Sequence, residues 1–326
     1  MTHYTNQLQV PLALAVFLAT DDYDYEANVI SATSLMKPLR QMILSKRINP
    51  DEAAMDISNL VSSRMGSAIH AAIEKAWMNP EAALKALGYP DKVSKNIKVN
   101  PSPEQAQQAN CIPVYMEQRA YKELLGFKVS GKFDFVAEGR VQDFKSTSVY
   151  TYLNQTNKDK YILQGSIYRW LNQDIITKDD MLIHYIFTDW SKAEALRNKD
   201  YPQSRVLSQR FQLLSLAETE HYIKTKLLQF RQHLETAETE LPPCSDQDLW
   251  RKADTFKYYK DANKTDGRST KNFDNKHDAL LRLAEDGHVG SVKEVKGQVI
   301  ACRYCSAFHL CSQKDRYLAT GELTLN

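Results

Sequence analysis

The chain has 326 residues, 43% of them hydrophobic and 25% charged, with a formal net charge of +2. This is the composition of an ordinary soluble chain able to bury a sizeable core, as one large domain with an appendage or as two domains. The charge balance excludes a global field for a polyanion, so any nucleic-acid site must be a local patch; five cysteines, an odd number and mostly clustered late, do not make a secreted disulfide framework.

Residues 10–19 (VPLALAVFLA) form an apolar run with no Lys or Arg before it and too short to span a membrane. It is expected to be buried core, and the protein cytoplasmic. Residues 29–47 open with a Ser/Thr cluster suited to an N-cap and continue as an apolar-periodic helix with Pro38 near its start. From Asp51 to Met78 the apolar positions Ile57, Leu60, Val61, Ala68, Ile69, Ala72, Ile73 and Trp77 follow helical spacing. His70 lies one turn after Gly66 on that helix, with Glu74 a further turn on. Alone, such a histidine reads as a hydrogen-bonded helix residue. Asn79-Pro80-Glu81 caps a short helix ending at Gly88, and residues 91–110, rich in Lys, Pro and Gln without periodicity, read as a surface loop. Residues 112–122 (IPVYMEQRAYK) read as a strand carrying Glu117.

Residues 127–146 (FKVSGKFDFVAEGRVQDFKS) are two alternating runs around Gly139-Arg140, which predicts a β-hairpin with a type II′ turn at those two residues. That register places Lys145 opposite Asp134 and Asp143 opposite Val136. Asp134, Asp143 and Lys145 then share one partly solvated face, and Phe133, Phe135 and Phe144 face the core. Two carboxylates beside an ammonium suit metal-assisted phosphodiester hydrolysis, because carboxylate oxygens are hard ligands for Mg²⁺ or Mn²⁺. A bare D-x-K is more often a cross-strand salt bridge.

Further on, residues 159–172 form an amphipathic helix with Gln164 and Tyr168 one turn apart on one face. Residues 181–188 and 205–213 read as strands, the first so continuously apolar that a central position is expected. Ser215 with Glu218 makes a capping box for a helix to about Thr236, and Pro242-Pro243 breaks the chain after it. A boundary here divides 1–240 from 241–326.

Taken in order, GSAIH at 66–70, Glu117, GKFD at 131–134, DFK at 143–145 and QGSIY at 164–168 closely resemble the PD-(D/E)XK nuclease superfamily, in its RecB-like branch of phage recombination exonucleases and CRISPR-adaptation nucleases. The resemblance implies an α/β fold with a mixed central sheet flanked by helices, here with a C-terminal cysteine-ligated subdomain. It implies that Asp134 and Asp143 hold divalent metal with His70, that Glu117 binds directly or through water, that Lys145 positions the attacking water, and that Gln164 and Tyr168 line the nucleic-acid path. Gly66 would let its helix approach the sheet closely. The implied activity is a metal-dependent DNA exonuclease of recombination, repair or replication, quite in keeping with a phage origin, with DNA ends as substrate and a recombinase or single-strand-binding protein as partner. A structure-dependent endonuclease and a non-catalytic DNA-binding scaffold stay open, as does RNA as substrate.

Near the end, CRYCSAFHLC at 302–311 places Cys302, Cys305 and Cys311 in a C-x2-C-x5-C array, and Cys244 lies in LPPC. Four thiolates suit a [4Fe–4S] cluster or tetrahedral Zn²⁺, with His309 able to replace Cys244 in a zinc site; unliganded thiols are the plain alternative. Similar arrays in RecB-like phage and AddB-type nucleases imply a structural cluster. In cluster-bearing relatives the 29–47 segment often supplies a cysteine; here Lys37 stands there. Between the cysteines, residues 251–276 interleave Lys and Arg with Phe256, Tyr258, Tyr259 and Phe273, a pattern equally suited to single-stranded DNA and to a solvated αβ surface.

Overall fold

A computed structural model describes residues 3–20, 26–49 and 54–325. The helical reading that began at Asp51 therefore lies outside the described residues at its start. A first pair of short strands, β1 (His3–Thr5) and β3 (Ala54–Asp56), is parallel. The remaining strands of the first unit are β2 (Val29–Ser31), β4 (Ile97–Val99), β5 (Ile112–Leu124), β6 (Phe127–Ala137), β7 (Arg140–Thr147), β8 (Asp180–Phe187) and β9 (Val206–Gln212). They form a mixed seven-stranded sheet in the order β4-β5-β6-β7-β8-β9, with β2 added beside β6. Helices α1 (Leu12–Ala19), α2 (Ala32–Leu35), α3 (Leu39–Lys46), α4 (Val61–Trp77), α5 (Glu81–Ala86), α6 (Asp91–Ser94), α7 (Pro103–Ala106), α8 (Val149–Leu153), α9 (Lys158–Leu171), α10 (Lys192–Arg197) and α11 (Leu216–His233) lie between and after the strands. The mixed α/β class is as expected.

Strand β6 organises the sheet. Along one edge it pairs with β5 almost throughout, from Val114↔Ala137 to Leu124↔Phe127. Its other edge has two partners in turn. Phe135 to Ala137 pair with β7, and Lys128 to Ser130 pair with β2. Residues 131–134 fall between the two, and there Gly131, Lys132 and Asp134 border a cavity.

The hairpin exists, but its turn is Glu138-Gly139, with Ala137 paired to Arg140 and Phe135 to Gln142. Both turn residues have positive φ (53° and 72°), the requirement of a type I′ turn, whose twist matches its strands. The expected pairs Lys145–Asp134 and Asp143–Val136 are thus displaced by two residues. A shift of two preserves the side-chain alternation, so the grouping of the acids survives the error in register. The polar face is not a solvated one: Asp143 is 1% exposed, whereas Phe144, assigned to the core, borders the cavity.

Other expectations change for local reasons. The 29–47 segment is a strand and two helices, because Pro38 cannot continue a helix from Lys37 and instead becomes the N-cap of α3; Ser31 caps α2 by accepting from Ser34 N. Residues 91–110 hold α6, β4 and α7, the last with a full capping box between Ser102 and Gln105. Strand β8 lies one place in from the edge, parallel to β7 and antiparallel to β9. The apolar run at 10–19 is α1, and it is not core: Leu18 is buried, but Leu12 is 79% exposed and Leu14 and Val16 are exposed as well. The Ser215–Glu218 capping box is present in full.

The chain folds as two compact units, residues 1–37 with 49–228, and residues 38–48 with 229–326. In the second, β10 (Thr255–Tyr259) lies between β11 (Lys271–Phe273) and β12 (Ser291–Val295) in an antiparallel sheet, with α12 (Lys276–Glu285) between β11 and β12 in sequence and α13 (Ser312–Ala319) after them. Tyr258 and Tyr259 are buried there, which removes them from any base-stacking role. Leu249, Val299, Tyr317 and Leu323 make a small core against which Cys244 and Cys302 pack. Among the described residues, no helix is long and apolar enough to cross a membrane.

Candidate metal centre

Three elements of the first unit converge where β6 changes partner. Helix α4 carries His70, β6 carries Asp134, and β7 carries Asp143 and Lys145. One ligand atom from each of His70, Asp134 and Asp143 lies within 4.8 Å of the others, the group among the described residues that meets the spacing of a metal site. Octahedral bonds of about 2.1 Å separate opposite ligands by about 4.2 Å, so small adjustments would seat one hard cation here.

The backbone sets the orientation of the histidine. Nε2 of His70 lies 2.8 Å from the carbonyl oxygen of Phe144 and can only donate to it, which turns Nδ1 toward Asp134 Oδ2 at 3.4 Å. In the neutral ring a lone pair then faces a carboxylate. A cation, either a proton or a metal, is required to make that contact favourable.

The acids have few other partners. Asp134 Oδ2 and Asp143 Oδ2 are buried oxygens that receive no hydrogen bond, an arrangement costly for carboxylates unless something positive reaches them. Lys145 Nζ lies 2.7 Å from Asp143 Oδ1. Burial pushes Asp143 up to about 7, with the nearby Asp134 charge adding to the effect and Lys145 opposing it. His70 is raised to about 9, chiefly by its contact with Asp134. Burial would raise Asp134 too, but His70 and Lys145 hold it below the usual carboxylate range. Burial alone would lower Lys145, yet the charges of Asp143 and Asp134 outweigh it and keep the amine protonated. Two acids, one of them holding its proton near neutrality, beside an N-donor are a donor set that a divalent cation can complete by displacing protons.

The same cavity, about 760 Å³ in volume, is bordered by Glu74, Glu117, Arg119, Lys132 and Tyr168 as well as by His70, Asp134 and Lys145. Glu117 sits where the β5–β6 ladder is interrupted between Met116↔Phe135 and Gln118↔Phe133. Its φ of 51° is unusual for a non-glycine residue in mid-strand, and such strain persists where the surroundings over-determine it. Its carboxylate, raised by burial, pairs with Lys132 Nζ at 2.6 Å and does not join the His70 group. Gln164 Nε2 donates to Tyr168 Oη at 2.8 Å; the tyrosine is buried against the cavity, and burial drives its phenol upward. Gly66 does not mark a close approach, because a Cβ there would meet Ser146 Oγ at an ordinary 3.5 Å. Where α9 meets the sheet the approach is close, at Gly131, where a Cβ would fall 2.7 Å from Leu171 Cδ1, and at Gly165, 2.6 Å from Met181 Sδ.

Sequence reasoning missed two residues beside the group, Lys132 at the cavity and Tyr161 against Lys145. Lys132 is legible only as the lysine of G-K-F-D two residues before Asp134. Tyr161, three residues before Gln164 on α9, lies under Lys145, whose Nζ is 5.6 Å from the ring centre.

In the second unit none of Cys244, Cys302, Cys305 and Cys311 is in a disulfide. Cys305 N donates to Cys302 O at 3.3 Å, Cys311 is the N-cap of α13, and Cys244 exchanges two backbone hydrogen bonds with the Gln313 side chain. Burial pushes Cys244 up to about 12 and Cys302 to about 11, and the charges of the neighbouring cysteines add to both shifts.

No family model matches the chain, and no curated protein matches it. Among solved structures, SSO0001 is 15% identical over 71% of this chain and 92% of that one, with a TM-score of 0.41. A candidate exonuclease from Eubacterium rectale is 12% identical over 71% of this chain and 97% of that one, with a TM-score of 0.36.

Proposed function

We propose that the chain is a divalent-metal-dependent deoxyribonuclease, and an exonuclease in preference to an endonuclease. The observation that carries this reading is the convergence of His70, Asp134 and Asp143, with Lys145 on Asp143; His70, Asp134 and Lys145 border one cavity, and Asp143 is buried beside them. His70, Asp134 and Asp143 would hold Mg²⁺ or Mn²⁺, with Glu117 near enough along the cavity to contribute through water. When bound, the ion would polarise the phosphate and acidify water. Lys145, held charged between two acids, is suited to orienting that water and stabilising developing charge, and poorly suited to acting as a base. Gln164 and Tyr168 line the path of the strand from α9. The imidazole in the set favours Mn²⁺ over Mg²⁺, since nitrogen is a weaker match for the harder ion.

The four cysteines of the second unit would hold a [4Fe–4S] cluster. The four thiols lie near enough that Cys302, Cys305 and Cys311 all add to the upward shift of Cys244; a zinc tetrahedron is the alternative for the same ligands, with His309 able to replace Cys244. The role is structural, holding the end of the chain.

Substrates would be DNA ends, single-stranded or duplex, in recombination, repair or replication, with a recombinase or single-strand-binding protein as the natural partner. The test is a time course on end-labelled linear single- and double-stranded DNA beside a covalently closed circle, in Mn²⁺, Mg²⁺ or EDTA, with Asp143→Ala as control. Metal-dependent loss of the linear species alone is expected. Cutting of the circle would establish the endonuclease, and binding without cutting in either metal would overturn the enzyme reading in favour of a scaffold.

A further inference from the structure

We propose that Arg40 is a positioning residue for the sulfur site of the second unit: its guanidinium holds the Cys311 thiolate through a charge-assisted N–H···S hydrogen bond and thereby raises the electron affinity of the iron–sulfur cluster. This rests on the cluster reading given above.

Arg40 stands in the first turn of α3 and is 4% exposed. Burying a guanidinium is costly unless its donors are matched one by one. Nη1 donates to Leu241 O at 2.9 Å, and Nη2 donates to the Glu238 carboxylate and to Ser312 Oγ. The Nε–H is directed at sulfur, with Nε 3.2 Å from Cys311 Sγ. That is within the range of N–H···O bonds, although sulfur is the larger atom and a neutral thiol only a weak acceptor. Placing a buried cation's donor so close to sulfur is favourable when the sulfur bears negative charge, as a cluster ligand does.

The surrounding bonds fix the cation in place. Glu238 Oε1, besides holding Arg40, accepts from Ser312 N at 2.8 Å and Ser312 Oγ at 3.1 Å. One carboxylate therefore anchors both the guanidinium and the first turn of α13, at whose N-cap Cys311 stands. Arg40, Glu238, Leu241, Cys311 and Ser312 all belong to one unit. Hydrogen bonds and fixed charge at the sulfurs are among the levers that set the potential of such clusters, and a cation favours the more negative, reduced state. Glu238 opposes part of that effect. The pair thus predicts two potential shifts of opposite sign.

The experiment uses anaerobically purified full-length protein: wild type, Arg40→Gln, Arg40→Lys and Glu238→Gln. Iron and acid-labile sulfide per chain, the visible spectrum and the midpoint potential are measured on each. With iron content kept, Arg40→Gln should lower the reduced-to-oxidised ratio at the wild-type midpoint by about tenfold, a shift of about 59 mV for one electron. Arg40→Lys should fall between, and Glu238→Gln should move the opposite way. Should Arg40→Gln lose its iron, Arg40→Lys decides, an intermediate potential supporting the proposal and an unchanged one overturning it. Wild-type potential in iron-replete Arg40→Gln overturns the role of Arg40 while leaving the cluster intact. Wild-type protein that holds zinc or no metal overturns the cluster reading itself, and the proposal with it.

Discussion

At Asp143 a carboxylate is buried without a hydrogen bond to its second oxygen, and Lys145 lies against its first. Replacing either Asp143 or Lys145 by Ala is expected to lower cleavage by at least about 10²–10³-fold. The far-ultraviolet dichroism should stay that of the parent, and retained activity in either variant would remove the site from these residues. The raised groups give the pH dependence a sign. Asp143 near 7 and His70 near 9 both hold protons that a metal must displace, so Mn²⁺ affinity should increase from pH 6 to pH 9, with proton release measurable by titration calorimetry in buffers of different ionisation heat. For the metal-free fold both groups act in the same direction. Through these two groups the native state binds more protons than the unfolded chain between about pH 4 and 9, so their contribution to stability falls as pH rises. Asp143→Asn should flatten that fall, by about 2–4 kcal/mol at pH 8 in the metal-free protein, as read from denaturant melts at several pH values. The residues that converge were legible because each sits in a short motif with its own spacing. What was not legible is through-space: that Glu117 would turn to Lys132, or that Tyr161 would lie under Lys145.

At the level of elements, the hairpin was readable from alternation and Gly139, but its turn begins one residue earlier. Glutamate carries no mark of the left-handed conformation that Glu138 adopts. Helix α1 illustrates the converse: hydrophobicity announced burial, yet the helix presents Leu12, Leu14 and Val16 outward, because burial depends on what packs against a segment. The glycines separate in the same way. Gly131 and Gly165 let α9 lie close to the sheet, and Ala at either should cost about 1–3 kcal/mol through overpacking. Gly66, in mid-helix with room beside it, should accept Ala with a gain of up to about 1 kcal/mol. Urea denaturation of the three variants checks both signs together.

For the molecule as a whole, two units mean two stabilities to measure. Cys305→Ala is expected to lower the melting temperature of the unit formed by residues 38–48 and 229–326 and to reduce bound metal, while the unit with the His70 group keeps its Mn²⁺ affinity. Scanning calorimetry with metal analysis reads both, and an unchanged melting temperature with unchanged metal content would argue against a structural centre at the cysteines. The sequence suggested a boundary between 1–240 and 241–326 at Pro242-Pro243, whereas the second compact unit begins at Gln229 and takes in residues 38–48 as well. That residues 38–48 cluster with the last hundred residues could not be read from order along the chain, since Arg40 and Cys311 stand 271 positions apart.

The type I′ turn between β6 and β7 has a consequence for how such chains can diverge in length. Asp134 and Asp143 are nine positions apart, joined by a tip in which each residue gained by one strand is matched on the other. An insertion of two residues lengthens the tip and leaves both carboxylates turned toward His70. An insertion of one reverses one acid against the other unless a bulge absorbs it. Chains that share this centre should therefore space its two acids by increments of two, and a deletion scan across 135–142 should alternate between tolerated and inactivating with each residue removed.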